Sequence, residues 1–284
     1  MPLPSSVTLM PRLTRFGTVI AVLTASVSVA GEGHVRAMLV ADAQQLRPGV
    51  TFRLGVALRP EAGWHIYWRH PGEAGLATAV EVELPDGFEV GDLHWPTPVA
   101  FSQPGGLAGY GYEDEVVLAS EVTMPNQVGS SAKVAVKASW LACREVCVLG
   151  SADLEAELPL VGDELEMSEQ ALDSWRQALP SSIESGRFDL SVTGGPVPAS
   201  GPAEIAVWLR WQHPPGVVEF FPDPGPGLKI EDVRVQPRGA LTRVDLKASR
   251  LRTSDTPSAS FRSLVADVDA DGRRFAEEVW IEFE

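Results

Sequence analysis

Two residues carry the clearest chemistry in this 284-residue chain: Cys143 and Cys147, its only cysteines. They stand four positions apart in Ser139-Trp140-Leu141-Ala142-Cys143-Arg144-Glu145-Val146-Cys147-Val148-Leu149-Gly150. A disulfide needs Cα atoms about 4.4–6.8 Å apart, whereas four steps along an extended strand span about 13 Å. A bond between them therefore requires the chain to turn through Arg144-Glu145-Val146, in a tight hairpin or one helical turn. Such a bond has two readings. As a staple it closes a loop of about five residues and removes only about 2 kcal/mol of unfolded-state entropy, which a domain with a large core does not need. As a redox centre it exchanges with visiting thiols, and a tight loop favours that lability. Arg144 favours a thiolate at Cys143, and Glu145 opposes it. The residues leave both readings open. Two thiolates suit Cu(I), but a zinc site wants four ligands and no His stands near the pair in sequence, so no metal site and no cofactor are assigned.

The compartment bears on that choice. Arg12 and Arg15 precede an apolar run from Phe16 to Val29, which ends in Ser28-Val29-Ala30. This is the three-part pattern of a secretory signal peptide over residues 1–30, and the apolar run is too short for a spanning helix. Export places the cysteines where pairing is the default. No later stretch is apolar enough to cross a bilayer, so no membrane insertion of the mature chain is expected. Two of the 23 basic residues leave with the leader, so 21 remain against 38 acidic ones, a formal charge of −17. That surface repels phosphate backbones and excludes a nucleic-acid partner.

The scaffold that must position the cysteines reads as strands. Alternating runs at Val35–Ala41, Thr51–Arg59, Trp64–Arg69, Ala79–Leu84, Val116–Thr123, Lys133–Leu141 and Ala152–Leu158 are separated by turn signals such as Pro60-Glu61-Ala62-Gly63 and Pro85-Asp86-Gly87. Period-two patterning with this punctuation predicts a β-sandwich over residues 31–161. Along Trp64–Arg69 the alternation puts Trp64, Ile66 and Trp68 on the core face and His65, Tyr67 and Arg69 on the other. Over 162–184 the alternation stops: Leu165, Leu172, Trp175 and Leu179 line one helical face, and Pro180 ends the run. Strand-like runs resume at Phe188–Thr193, Glu204–Trp211, Val217–Phe221, Leu228–Val235, Leu241–Leu251, Phe261–Val268 and Phe275–Phe283. The expectation is an all-β chain of two immunoglobulin-like β-sandwich domains joined by a short helix, the second occupying 185–284.

Four ordered blocks then resemble one family. They are Gly63–Gly72 (GWHIYWRHPG), Leu93–Pro98 (LHWPTP), Gly109–Leu118 (GYGYEDEVVL) and Trp140–Cys147 (WLACREVC). Together they resemble the amino-terminal periplasmic domain of the thiol:disulfide interchange protein DsbD family, and the downstream segment with Phe220-Phe221-Pro222 resembles the extra β-domain of its longer, ScsB-like relatives. The resemblance implies an immunoglobulin-like fold and a redox-active pair, here Cys143 and Cys147. It implies a protein-disulfide reductase component that accepts electrons from a membrane-embedded thiol–disulfide donor and passes them to periplasmic thioredoxin-fold proteins. It also implies a mobile cap loop over the cysteines, aligned with Phe101–Tyr112. Phe101, Tyr110 and Tyr112 are its candidate lid aromatics, and glycines at 105, 106, 109 and 111 permit hinge motion. Ordinary sandwich packing is the alternative for these rings. The chain lacks the membrane electron-transfer and thioredoxin-like domains of full-length relatives, so its electrons are expected from a separate partner. Its three-residue cysteine loop is shorter than in the enteric members and leaves open which cysteine attacks first.

Other sites are weaker. His65, Tyr67 and Arg69 could flank the cysteines, with Tyr67 a candidate partner-binding residue, although a half-exposed polar strand face explains them as well. His34, His94 and His213 are scattered singly. No Ser/His/Asp grouping, phosphate loop or metal-ligand spacing stands out. The competing function is a non-enzymatic secreted binding protein with a structural disulfide, linked to copper handling.

Overall fold

A computed structural model describes residues 29–41, 48–126, 131–159, 175–181, 186–225, 227–251, 260–269 and 271–282. Most of the expected leader lies outside them, as do Leu165 and Leu172 of the expected helix. The expected cleavage point after Ala30 falls inside the first strand, Val29–Glu32.

The described residues form four antiparallel sheets, with strands numbered in chain order. The first sheet runs β1 (Val29–Glu32), β2 (Val35–Ala41), β3 (Thr51–Pro60), β9 (Val116–Thr123), β6 (Glu89–His94). The second runs β11 (Cys147–Pro159), β10 (Ser131–Cys143), β4 (His65–Gly72), β8 (Ala108–Tyr112), β7 (Val99–Ser102). In that sheet β5 (Ala79–Glu83) shares with β4 the edge of β10 opposite β11. The alternating apolar residues of both sheets meet in one core, in which Leu54, Leu58, Ile66, Leu118, Val134 and Leu154 are fully buried. Trp64, Ile66 and Trp68 all belong to it, as the strand parity predicts. Each such side chain contributes about 1.5–3 kcal/mol by leaving water.

The second sandwich pairs a sheet of β12 (Phe188–Thr193), β13 (Ala203–Trp211), β16 (Leu241–Arg250), β15 (Leu228–Arg238) with a sheet of β14 (Val217–Asp223), β17 (Ser260–Val268), β18 (Arg274–Glu282). The chain is thus all-β with two immunoglobulin-like sandwiches, and helix is minor. Only residues 175–178 are helical among those described. Trp175 leaves that turn to pack on the outer face of the first sheet, against Ala57, Val117 and Ala119. The Arg53 guanidinium lies 5.5 Å from its ring centroid.

The middle of the sheet β14–β17–β18 is buried on both faces. Phe220, Phe261 and Val265 point into the second core. Phe221, Leu264 and Ala266, of opposite parity on β14 and β17, join the first core instead. Phe221 meets Trp68 and Tyr110 edge-on, at centroid distances of 6.3 and 5.3 Å. Around this contact Arg69 pairs with Asp223 and Glu278, each at 2.9 Å.

Candidate functional site

Strands β10 and β11 form one long hairpin whose last register pair is Cys143 with Cys147. The loop between them is Arg144-Glu145-Val146, closed by the Arg144 amide donating to the Val146 carbonyl at 3.1 Å. The turn brings the two Cα atoms to 4.1 Å and the sulfurs are bonded. Of the two geometries open to the sequence, the chain takes the hairpin. The Arg144 guanidinium lies 5.3 Å from the Trp64 ring centroid, and His34 stacks on that ring at 3.8 Å.

The two sulfurs sit in unlike surroundings. Cys143 is 3% exposed, whereas Cys147 is exposed. Val146 and Leu149 beside Cys147 are 63% and 70% exposed, so an open apolar rim surrounds it. On its other side Cys143 pairs in register with His65. Side chains of paired residues share a sheet face, so Cys147, Cys143 and His65 form a row across three strands.

Tyr67 completes the cover of Cys143. Its side chain, on the same strand face as His65, is buried, and its hydroxyl lies 3.4 Å from the Cys143 sulfur and 2.9 Å from the Gln103 side-chain oxygen. A phenol has one proton, so it donates to one of these acceptors at a time. Burial raises the Tyr67 pKa above its ordinary value, which keeps that proton in place at neutral pH. Burial lowers the His65 pKa, with Glu113 opposing, so this ring is neutral.

Phe101 lies over this pair, with its ring centroid 4.1 Å from that of His65 and 5.9 Å from that of Tyr67. Room for it comes from Gly109, its register partner on β8, where an added Cβ would fall 2.3 Å from the Phe101 ring. The β7–β8 hairpin closes through Gln103, whose amide donates to the Leu107 carbonyl at 2.8 Å, and its tip carries Gly105 and Gly106 at positive φ. The Gln103 side-chain amide donates to the Ala74 carbonyl at 3.1 Å.

Tyr110 and Tyr112 face the other way. Tyr110 pairs with Ala100, so it shares the face opposite Phe101. Both tyrosines are buried in the first core; Tyr110 meets Phe221 and the Tyr112 hydroxyl donates to the Pro96 carbonyl at 2.8 Å. Burial raises the pKa of both. Of the sequence-derived set, the structure therefore gathers Cys143, Cys147, Tyr67 and Phe101, and sets Tyr110 and Tyr112 beneath the hairpin. Gln103 and Glu73 were not singled out by sequence. For Gln103 a signal existed: it stands two positions from Phe101, hence on the same strand face. For Glu73 none did, because its partners are backbone amides 35 and 159 positions away.

Among the described residues, no group of three or more His, Cys, Asp or Glu side chains could hold a metal ion, and no helix is long and apolar enough to cross a membrane. No curated protein matches the chain. Among solved structures, the chain is similar to the N-terminal periplasmic domain of ScsB from Proteus mirabilis, with a TM-score of 0.66 and 19% identity over 91% of this chain and 98% of that one. At that identity the likeness speaks for the fold, and it extends through both sandwiches. Residues 36–159, nearly the whole of the sandwich that carries the cysteine pair, match the family model described as Thiol:disulfide interchange protein DsbD, N-terminal.

Proposed function

We propose that the chain is a periplasmic thiol–disulfide exchange module. It takes reducing equivalents from a membrane-embedded thiol–disulfide donor and passes them to periplasmic thioredoxin-fold proteins through Cys143 and Cys147. Residues 1–30 are the export signal, 31–161 the exchange domain, 162–184 the linker and 185–284 the second β-domain. One observation carries the reading: a bonded pair at a hairpin mouth with one sulfur open to a partner and the other buried against Tyr67, on whose ring Phe101 packs. A staple needs no such asymmetry. In-line exchange needs one accessible sulfur to meet the partner and one protected sulfur to resolve the adduct.

The roles follow from exposure. In the reduced module the Cys147 thiolate attacks one sulfur of a partner disulfide, and the partner's other sulfur leaves as a thiolate. Cys143 then attacks the Cys147 sulfur, which breaks the mixed disulfide and re-forms the Cys143–Cys147 bond. Two electrons and two protons pass to the partner, which leaves as a dithiol. A membrane donor's dithiol resets the module by the reverse sequence. Tyr67 donates its hydroxyl proton toward the Cys143 thiolate, and Val146 and Leu149 offer apolar surface for docking. Phe101 acts as the lid, with Tyr110 and Tyr112 supporting its hairpin from below.

Trapping tests the assignment. Cys143→Ser, treated with an oxidised periplasmic thioredoxin-fold protein and then quenched with an alkylating agent that caps the partner's released thiol, should accumulate a mixed disulfide through Cys147, because Cys143 is no longer there to resolve it. Cys147→Ser should form that adduct at least about tenfold more slowly, since its remaining thiol is covered. Equal trapping by the two variants, or none by either, overturns the proposal.

A further inference from the structure

Glu73 follows β4 directly and makes contact in two directions. Its amide donates to the Ala108 carbonyl at 2.9 Å, and the Ala108 amide donates back to its Oε2 at 2.8 Å. Ala108 is the first residue of β8, the strand that returns from the cap tip. The other carboxylate oxygen, Oε1, accepts from the Asp232 amide of the second sandwich at 3.2 Å. Asp232 presents that amide because its φ of 56° lies in the left-handed region, at the bulge of β15 between Glu231 and Arg234. Lys247 holds the Asp232 carboxylate at 2.5 Å, which fixes the bulge.

The opposite strand of the hairpin is held from the same side. Arg274 of β18 donates to the carbonyls of Thr97 and Pro98, just ahead of β7, and pairs with Glu219 at 2.6 Å. Phe221 supports Tyr110 between these two attachments. The cap hairpin is therefore tied to the second sandwich at its root ahead of β7 and, through Glu73, at the tip-side start of β8, while its glycine tip meets nothing within 4 Å of an added Cβ at Gly105 or Gly106.

We infer that Glu73 is a positioning residue through which the second sandwich keeps the cap hairpin closed over His65 and Tyr67, the residues beside Cys143, so that Cys147 alone is presented to a partner. The physical argument is one of local stability. The glycine-tipped end of the hairpin opens at lower cost than its base, where Tyr110 and Tyr112 are buried in the first core, and a carboxylate that accepts from two backbone amides raises that cost. This inference takes the direction of exchange from the proposed function, but its test does not depend on that function.

The test uses the oxidation-independent reactivity of single thiols in the full chain. In Cys147→Ser, alkylation of Cys143 by iodoacetamide reports opening of the cap. Adding Glu73→Gln places a donor where an acceptor stood, and should raise that rate about fivefold, the factor equivalent to one net hydrogen bond. Adding Arg274→Gln instead should raise it by a similar factor. In Cys143→Ser the same two changes should leave alkylation of the open Cys147 as it was. Amide exchange should quicken at Ala108 and Gly109 and stay slow in β3 and β9. Unchanged Cys143 rates overturn the inference. So does a rise matched at Cys147 or accompanied by faster exchange throughout, which would mark Glu73 as a general stabiliser. Failure of mixed-disulfide trapping would refute exchange and leave this comparison intact.

Discussion

The hydroxyl of Tyr67 lies 3.4 Å from the sulfur of Cys143, although 76 positions separate them in sequence. When the disulfide opens, that sulfur becomes the strongest acceptor near the phenol, and the Gln103 oxygen at 2.9 Å competes for the same proton. A hydrogen bond to a charged group contributes about 1.5–3 kcal/mol. Tyr67→Phe, built on Cys147→Ser, should therefore titrate its Cys143 thiol with a midpoint at least about one pH unit higher. Thiolate absorbance against pH measures this, and an unmoved midpoint would show that the hydroxyl serves the cap alone.

The packing of Phe221 against Trp68 and Tyr110 makes a second prediction. Its side chain is wholly buried in the first core although its strand belongs to the second sandwich. Phe221→Ala should cost about 3–5 kcal/mol. The loss should appear in urea unfolding as one transition at lower midpoint, reported alike by tryptophans of both sandwiches. Two separated transitions, with only the second half weakened, would contradict the shared core.

His70 gives the pH dependence. Burial lowers its pKa below 6.5, with Asp223 opposing, and its Nδ1 is buried without a hydrogen bond. Below about pH 6.5 the unfolded chain takes up a proton that the folded chain refuses, so stability falls as pH drops through that value. His65 shifts in the same direction for the same cause. His70→Gln should narrow the difference in urea midpoint between about pH 7.5 and pH 5. A difference equal to that of the parent protein would remove His70 from the account.

Much of this was legible before any coordinates. The strands with strict alternation, such as Val35–Ala41 and Phe188–Thr193, have the bounds that their pattern predicts. The requirement for a turn between the cysteines also follows from strand geometry alone. Strands β6, β7 and β8 escaped because their residues do not alternate by polarity. On β8 glycine stands where bulk is excluded: a Cβ on Gly111 would fall 1.9 Å from the Ile66 carbonyl oxygen. The faces of Phe101, Tyr110 and Tyr112 could not be read for a related reason. Which of them share a side depends on the hairpin register, and that is fixed by a loop whose length the sequence did not reveal. The Glu73 contacts were beyond reach altogether, since backbone amides carry no side-chain signature.

Through the middle of the sheet β14–β17–β18 both faces are covered, one parity of residues filling each core, and its end at Arg262 and Trp280 opens to solvent. Its two halves therefore cannot be treated as interchangeable beads on a string. Severing the chain after the first sandwich would strip Tyr110 and Trp68 of their cover and hand the cysteine-bearing fragment a sticky apolar wound. Grafting that fragment into another protein would call for a substitute surface shaped to Phe221, Leu264 and Ala266.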